Sequence, residues 1–176
     1  WPADMPAIKE LANSYGLALI EDCSQAHGAQ IKVNSIFKSV GSFGDIGTWS
    51  FCQDKIISTA GEGGMVNTDD KDLWEKIWAY KDHGKNWETV NNKNHPQGFR
   101  WLHETFGSNF RLTEFQSSIG RIQLKKLSEY KKIRQRNAKL LIDELQGISI
   151  LRIPYPEDRY QHACYKIHGY INNEFL

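Results

Sequence analysis

At 176 residues, 40 % hydrophobic and 24 % charged, the chain has an ordinary globular composition and the length of one domain or of part of a larger one. A formal net charge of +1 offers no basic field for nucleic acid and no acidic tail, and no apolar run approaches the ~20 residues that cross a bilayer. Cys23, Cys52 and Cys164 are far apart and form no CxxC pair, which sets aside zinc ribbons and disulfide scaffolds and makes a reducing, cytoplasmic setting the expectation.

The chain opens Trp1-Pro2, without Met, and is read as a segment of a longer polypeptide. Residues 4–15 carry Met5, Ile8, Leu11 and Ala12 at helical spacing, with Gly16 placed to end the helix. "LALIED" (Leu17–Asp22) is a short apolar run ending in two carboxylates, predicted as a buried parallel strand. "DIGTWSF" (Asp45–Phe51) and "GGMVNT" (Gly63–Thr68) are two further strands. Residues 69–82 form an amphipathic helix with Leu73, Trp74, Ile77 and Trp78 on adjoining stripes. Residues 84–108, rich in Asn, Gly and aromatics, have no steady period and read as a long functional loop. A long helix follows from about Leu112 to Leu145, its apolar face supplied by Leu112, Phe115, Ile119, Ile122, Leu127, Tyr130 and Ile133. Its basic run Lys125–Lys139 reads as a solvated face. "SILRI" (Ser149–Ile153) and "YKIHGYI" (Tyr165–Ile171) are strands of another layer, separated by Pro154 and Pro156.

One lysine carries the chemical question. Lys55 follows a strand end and precedes Gly61, Gly63 and Gly64, whose lack of Cβ lets backbone approach a ligand closely. A solvated lysine is a poor nucleophile, and it becomes a good one where desolvation or nearby positive charge lowers its pKa. Alone, Lys55 is best read as a surface charge. Asp22 alters the balance, because a carboxylate closing an apolar strand asks for a cationic partner. Gln25 and His27 follow it within a turn, and Ser50 lies five residues before Lys55. A lysine for a Schiff base, an acid for a ring nitrogen and hydroxyl or amide donors for a phosphate are what pyridoxal phosphate requires.

The blocks "IEDCSQAHGA" (Ile20–Ala29), "SFCQDKIISTAGEGGMVNT" (Ser50–Thr68), "HG" (His83-Gly84) and "GSNFRLTEFQSSIGRIQL" (Gly107–Leu124) together resemble the DegT/StrS-type sugar aminotransferases, in the family's order, over about residues 8–145. The resemblance implies an α/β fold: part of the large domain of the fold-type I pyridoxal-phosphate enzymes, a mostly parallel sheet with flanking helices, over residues 1–145, and the start of a small α+β domain over 146–176. It implies a Schiff-base role for Lys55, pyridinium pairing for Asp22, contact beside the ring oxygen for Gln25 and a phosphate contact for Ser50. Asn109 would reach the phosphate of a neighbouring subunit's cofactor, so a homodimer with shared active sites is expected. The implied reaction moves an amino group from an amino-acid donor, glutamate in the simplest case, to a nucleotide-linked keto sugar. The family's phosphate-cradling turn and ring-stacking aromatic have no counterpart in these residues. Cys23-Ser24 replaces the small apolar pair that is common after the acid. A sugar dehydratase on the same scaffold, in which histidine replaces the lysine, and a non-catalytic relative are the competing readings. Trp87, Phe99 and Trp101 can line a sugar-nucleotide cleft or anchor their loop. His27, His83, His95 and His103 lack metal-ligand spacing.

Overall fold

The computed structural model describes residues 1–155, 157–172 and 174. The first helix, α1 (Met5–Ser14), is capped by the Asp4 side chain on the Ala7 N–H and carries a proline in its first turn. Gly16, with φ +62°, takes the left-handed turn that ends it. The chain then enters β1 (Ile20–Asp22), which pairs in parallel with β4 (Ile46–Ser50). Strand β5 (Gly64–Asn67) completes that sheet on the other side of β4, antiparallel. The expected mostly parallel sheet is thus represented by one parallel pair.

The apolar run leading into β1 is not buried as predicted. Leu17 and Ile20 are both exposed, whereas Glu21 is only 5 % exposed. Its carboxylate accepts hydrogen bonds from three backbone N–H groups of the 41–44 turn: Gly41 at 2.8 Å, Phe43 at 2.6 Å and Gly44 at 2.7 Å. A carboxylate can be buried when fixed donors replace its water. Asp45 extends the brace, receiving Lys9 of α1 at 2.8 Å and the Leu19 N–H at 2.7 Å.

Between β1 and β4 lies a hairpin absent from the sequence-based expectation. Its strands are β2 (Gln30–Val33) and β3 (Ile36–Ser39). Asn34 and Ser35 both have positive φ, 49° and 68°, which is the two-residue turn that matches strand twist. After β5 come α2 (Lys71–Lys81), capped by Asp70, and the short α3 (Trp87–Asn91), a helical turn inside the predicted loop. The longest element is α4 (Glu114–Leu145), 32 residues. Thr113 and Gln116 form a reciprocal capping box at its start.

Only part of the predicted apolar face of α4 meets the core. Leu127 and Tyr130 pack on it, while Phe115 and Ile122 are exposed. The core itself gathers Met5, Cys23, Ala29, Ile31, Val40 and Ile56. Two-residue strands end the chain: β6 (Leu151–Arg152), β7 (Tyr160–Gln161) and β8 (Tyr170–Ile171). Strand β6 pairs with β8, whereas β7 returns to the edge of β2. Of the predicted Tyr165–Ile171 strand, Tyr170–Ile171 is extended and paired. Pro156, half of the predicted proline separator, lies outside the described residues.

The basic run of α4 is more than a solvated face. Lys131 Nζ donates to Gln30 Oε1 at 2.9 Å and to Gln161 Oε1 at 3.0 Å, stitching β2, β7 and α4 together. Burial lowers its pKa. Gln135 adds a bond to the His162 carbonyl at 3.1 Å. Among the described residues, no helix is long and apolar enough to cross a membrane.

Candidate active site

Strand alternation explains why Asp22 is available. Glu21 points inward, so its neighbour faces out beyond the strand end. Two hydrogen bonds orient the Asp22 carboxylate, from the hydroxyl and the backbone N–H of Ser24, the latter at 3.0 Å. Those bonds, helped by the positive charge of Lys55, hold its pKa below the ordinary carboxylate value. Gln25 is exposed, and with Asp22 it lines a cavity of about 270 Å³ whose lining also includes His162, Tyr165 and Lys166.

Lys55 stands beyond the end of β4, on the strand next to Asp22. Its N–H donates to the Cys52 carbonyl at 3.0 Å, closing a turn. Ile56 and Ile57, each 5 % exposed, bury the chain immediately after it. The side chain is anchored at its base and 14 % exposed. Its pKa is raised, contrary to the depressed value expected of a nucleophilic lysine. The cause is Asp54, whose Oδ1 lies 3.2 Å from Nζ, and this outweighs desolvation. Asp54 is in turn held well below the usual carboxylate range, first by the Tyr165 hydroxyl.

Ser50 closes β4, opposite Gly64 of β5. Its Oγ accepts the Cys52 N–H at 3.3 Å, which leaves its own hydrogen free to donate. Asn109 lies apart from this group. It bridges to Asp82, and its Oδ1 accepts Arg111 Nε at 3.0 Å. Its amide N–H groups have no partner among the described residues. Asp82, 9 % exposed, is ringed by Lys81, Lys85 and Arg111 at 3.7, 3.1 and 3.7 Å. That ion cluster, with Arg111 also 3.4 Å from His83 Nε2, fixes the segment carrying Asn109. Asp82 was invisible as a hub because its cations come from before, within and after the 84–108 loop.

His27 takes the structural reading. It is 2 % exposed, wedged against Trp49 and Phe51 at centroid distances of 5.4 and 5.9 Å. Neither ring nitrogen has a partner of good hydrogen-bond geometry. The nearby Ser50 backbone favours the charged ring, but burial prevails and lowers the pKa. Trp74 meets Trp87 edge-on at 5.5 Å, so Trp87 anchors its loop, whereas Phe99 and Trp101 are exposed. Among the described residues no cluster of three His, Cys, Asp or Glu side chains is placed to hold a metal ion.

A lysine and an anionic carboxylate at neighbouring strand ends of an α/β unit, with a free hydroxyl beside them, suit a cofactor bearing a carbonyl, a basic ring nitrogen and an anionic group. The chain belongs to the DegT/DnrJ/EryC1/StrS aminotransferase family, whose model matches residues 1–175. It is 39 % identical over 165 residues to the UDP-N-acetyl-3-dehydro-alpha-D-glucosamine 3-aminotransferase of Acidithiobacillus ferrooxidans, covering 94 % of this chain and 40 % of that protein. It is 40 % identical over 129 residues to the GDP-perosamine synthase of Escherichia coli O157:H7, covering 73 % and 31 %. A solved aminotransferase from Psychrobacter cryohalolentis superposes with a TM-score of 0.92 at 47 % identity, over 100 % of this chain and 46 % of that one. The chain thus spans about 40 % of the length of the curated relatives it matches first.

Proposed function

We propose that the protein carrying this chain is a pyridoxal-phosphate-dependent transaminase that aminates a nucleotide-linked keto sugar, with glutamate as amino donor. The observation that carries the reading is the placement of Asp22 at the end of β1 and of Lys55 beyond the end of the adjacent, parallel-paired β4, with the lysine's charge contributing to the lowered carboxyl pKa after the Ser24 hydrogen bonds. The similarity to sugar aminotransferases supports it. In this reading residues 1–145 are part of a fold-type I large domain, and residues 146–176 begin a small one. The protein is a cytoplasmic homodimer whose sites are shared.

The residues present fit the cofactor. Lys55 offers the amine, Asp22 a carboxylate that Ser24 keeps anionic, and Ser50 a free hydroxyl hydrogen. Asn109 offers amide hydrogens not engaged by Arg111, and in a dimer these would hold the phosphate of the neighbouring subunit's cofactor. When bound, pyridoxal phosphate supplies an electron sink that makes the donor's α-carbon acidic. Lys55 Nζ takes that proton and, with the keto sugar in place, delivers one to the former carbonyl carbon. Asp22, kept anionic by Ser24, would hold positive charge at the ring nitrogen. Gln25, lining the same cavity as Asp22, would help to orient the ring.

The test uses the full-length protein. Pyridoxal phosphate should give a near-visible absorbance band, borohydride should fix the label on Lys55, and Lys55→Ala should lose both. Absence of the band in the full-length protein refutes the reading. For the shared site, mixed Lys55→Ala and Asn109→Ala subunits should regain activity after exchange. No recovery after demonstrated exchange refutes that part.

A further inference from the structure

The head of Lys55 sits between the carboxylate of its neighbour Asp54 and an aromatic ring brought from a distant part of the chain. Asp54 Oδ1 lies 3.2 Å from Nζ. The second oxygen, Oδ2, accepts the Tyr165 hydroxyl at 2.5 Å, across 111 positions of sequence. The ring of the same tyrosine lies 5.6 Å from Nζ, measured to its centroid. We propose that Asp54 and Tyr165 are positioning residues for Lys55, fixing where its amine points. The proposal rests on reading Lys55 as the cofactor lysine.

A carboxylate one residue from a lysine on an exposed loop is ordinarily a loose ion pair of little consequence. Here the pair has a third member. The Tyr165 hydroxyl occupies one carboxylate oxygen, so the carboxylate cannot rotate freely and its other oxygen stays at Nζ. The ring adds a cation–π face. The lysine head is therefore held from two sides, although Asp54 itself is 57 % exposed. Tyr165 also lines the cavity that Asp22 and Gln25 line, so the clamp joins the cofactor-facing turn to the last segment of the chain. The other titratable groups bearing on Lys55 are Cys52, Asp22 and His27. Lys166 lies over the same tyrosine ring at 5.3 Å. Attack on a carbonyl needs the neutral amine, so a clamp that favours the ammonium slows capture at neutral pH while setting its direction.

The test reads the amine directly in full-length protein stripped of cofactor. Acetylation by acetic anhydride is followed at each lysine by peptide mass spectrometry across pH, with exposed Lys93 as internal reference. Asp54→Asn should move the Lys55 profile to lower pH and raise its relative labelling near neutrality by about threefold or more. Tyr165→Phe, a mild change in fold terms, should move it the same way by less, and Asp54→Glu should keep the parental profile. Parental profiles in both Asp54→Asn and Tyr165→Phe overturn the proposal. A shift in the first alone overturns the role of Tyr165. Borohydride trapping of pyridoxal phosphate in the parent separates the two levels: a clamp effect with no label on Lys55 refutes the cofactor reading and not the geometry.

Discussion

Replacing Glu21 by Gln tests the brace beneath the candidate site. The Glu21 carboxylate accepts Gly41, Phe43 and Gly44 N–H groups at 2.6–2.8 Å while 5 % exposed. Glutamine keeps one carbonyl oxygen, enough for the Phe43 and Gly44 donors that share Oε1. Its amide N–H₂ then faces the Gly41 N–H, donor against donor. A buried donor left unpaired costs about 1–3 kcal/mol, and the remaining bonds lose their charge assistance. Glu21→Gln should therefore destabilise by about 2–3 kcal/mol, a large share of a typical domain's stability. Glu21→Ala orphans three donors and should cost more. Equilibrium urea unfolding of the full-length protein measures this, with exposed Glu10→Gln as a control expected to stay within about 0.5 kcal/mol. A Glu21→Gln value that small would refute the reasoning, as would unchanged hydrogen exchange at the Gly41 amide.

Thr113→Ala removes the cap of α4 and should cost about 1 kcal/mol by the same unfolding assay. Gly63→Ala should be worse, because the new methyl meets Thr59 Oγ1 and, at 3.1 Å, Leu112 Cδ1; raised protease sensitivity around residues 59–64 would report it, and a parental digest would count against the packing argument. Burial, with His168 adding to it, lowers the His162 pKa from 6.5 toward about 4. Below pH 6.5 the unfolded chain takes up the proton first, so stability present above 6.5 is lost as pH falls toward 4, by up to about 3 kcal/mol. His162→Gln should flatten that part of the stability–pH curve, and an unaltered slope would contradict it.

What could be read without coordinates was set by how local each signal is. Helix α4 announces itself through period and length, both within its own sequence. Strands β4 and β5 were legible for the same reason, being flanked by glycine turns. The β2–β3 hairpin was missed because its turn is Asn34-Ser35, which lacks the glycine that usually marks two positive-φ positions. Strand β7 is two residues long and exists through its pairing with β2, a partner far away in sequence. The reversal at β1 has a further cause. Whether an apolar strand is buried depends on what packs over it, and nothing in "LALIED" says that the 41–44 turn will wrap around Glu21. Of the candidate site, Lys55 and Asp22 were found through motif blocks. Asp54 and Tyr165 carry no motif, and their meeting across the fold is visible only in three dimensions.

The Gly-Glu-Gly-Gly turn takes on a different role once its neighbours are placed. As sequence it suggested backbone drawn close to a ligand. In the fold, Gln116 Nε2 donates to the Glu62 carbonyl at 2.8 Å, and Thr59 Oγ1 bonds the same carbonyl at 3.3 Å. Gln116 also closes the cap of α4 with Thr113. One side chain thus joins the helix start to the turn that follows Lys55. Gly63 lacks a side chain because Thr59 and Leu112 already fill the space where its Cβ would stand. Gly63 therefore serves the seam between the lysine loop and α4. That seam ties the segment of Asn109 and Arg111, just before α4, to the loop of Lys55, so a disturbance at Gly63 reaches both halves of the candidate site without touching a cofactor atom.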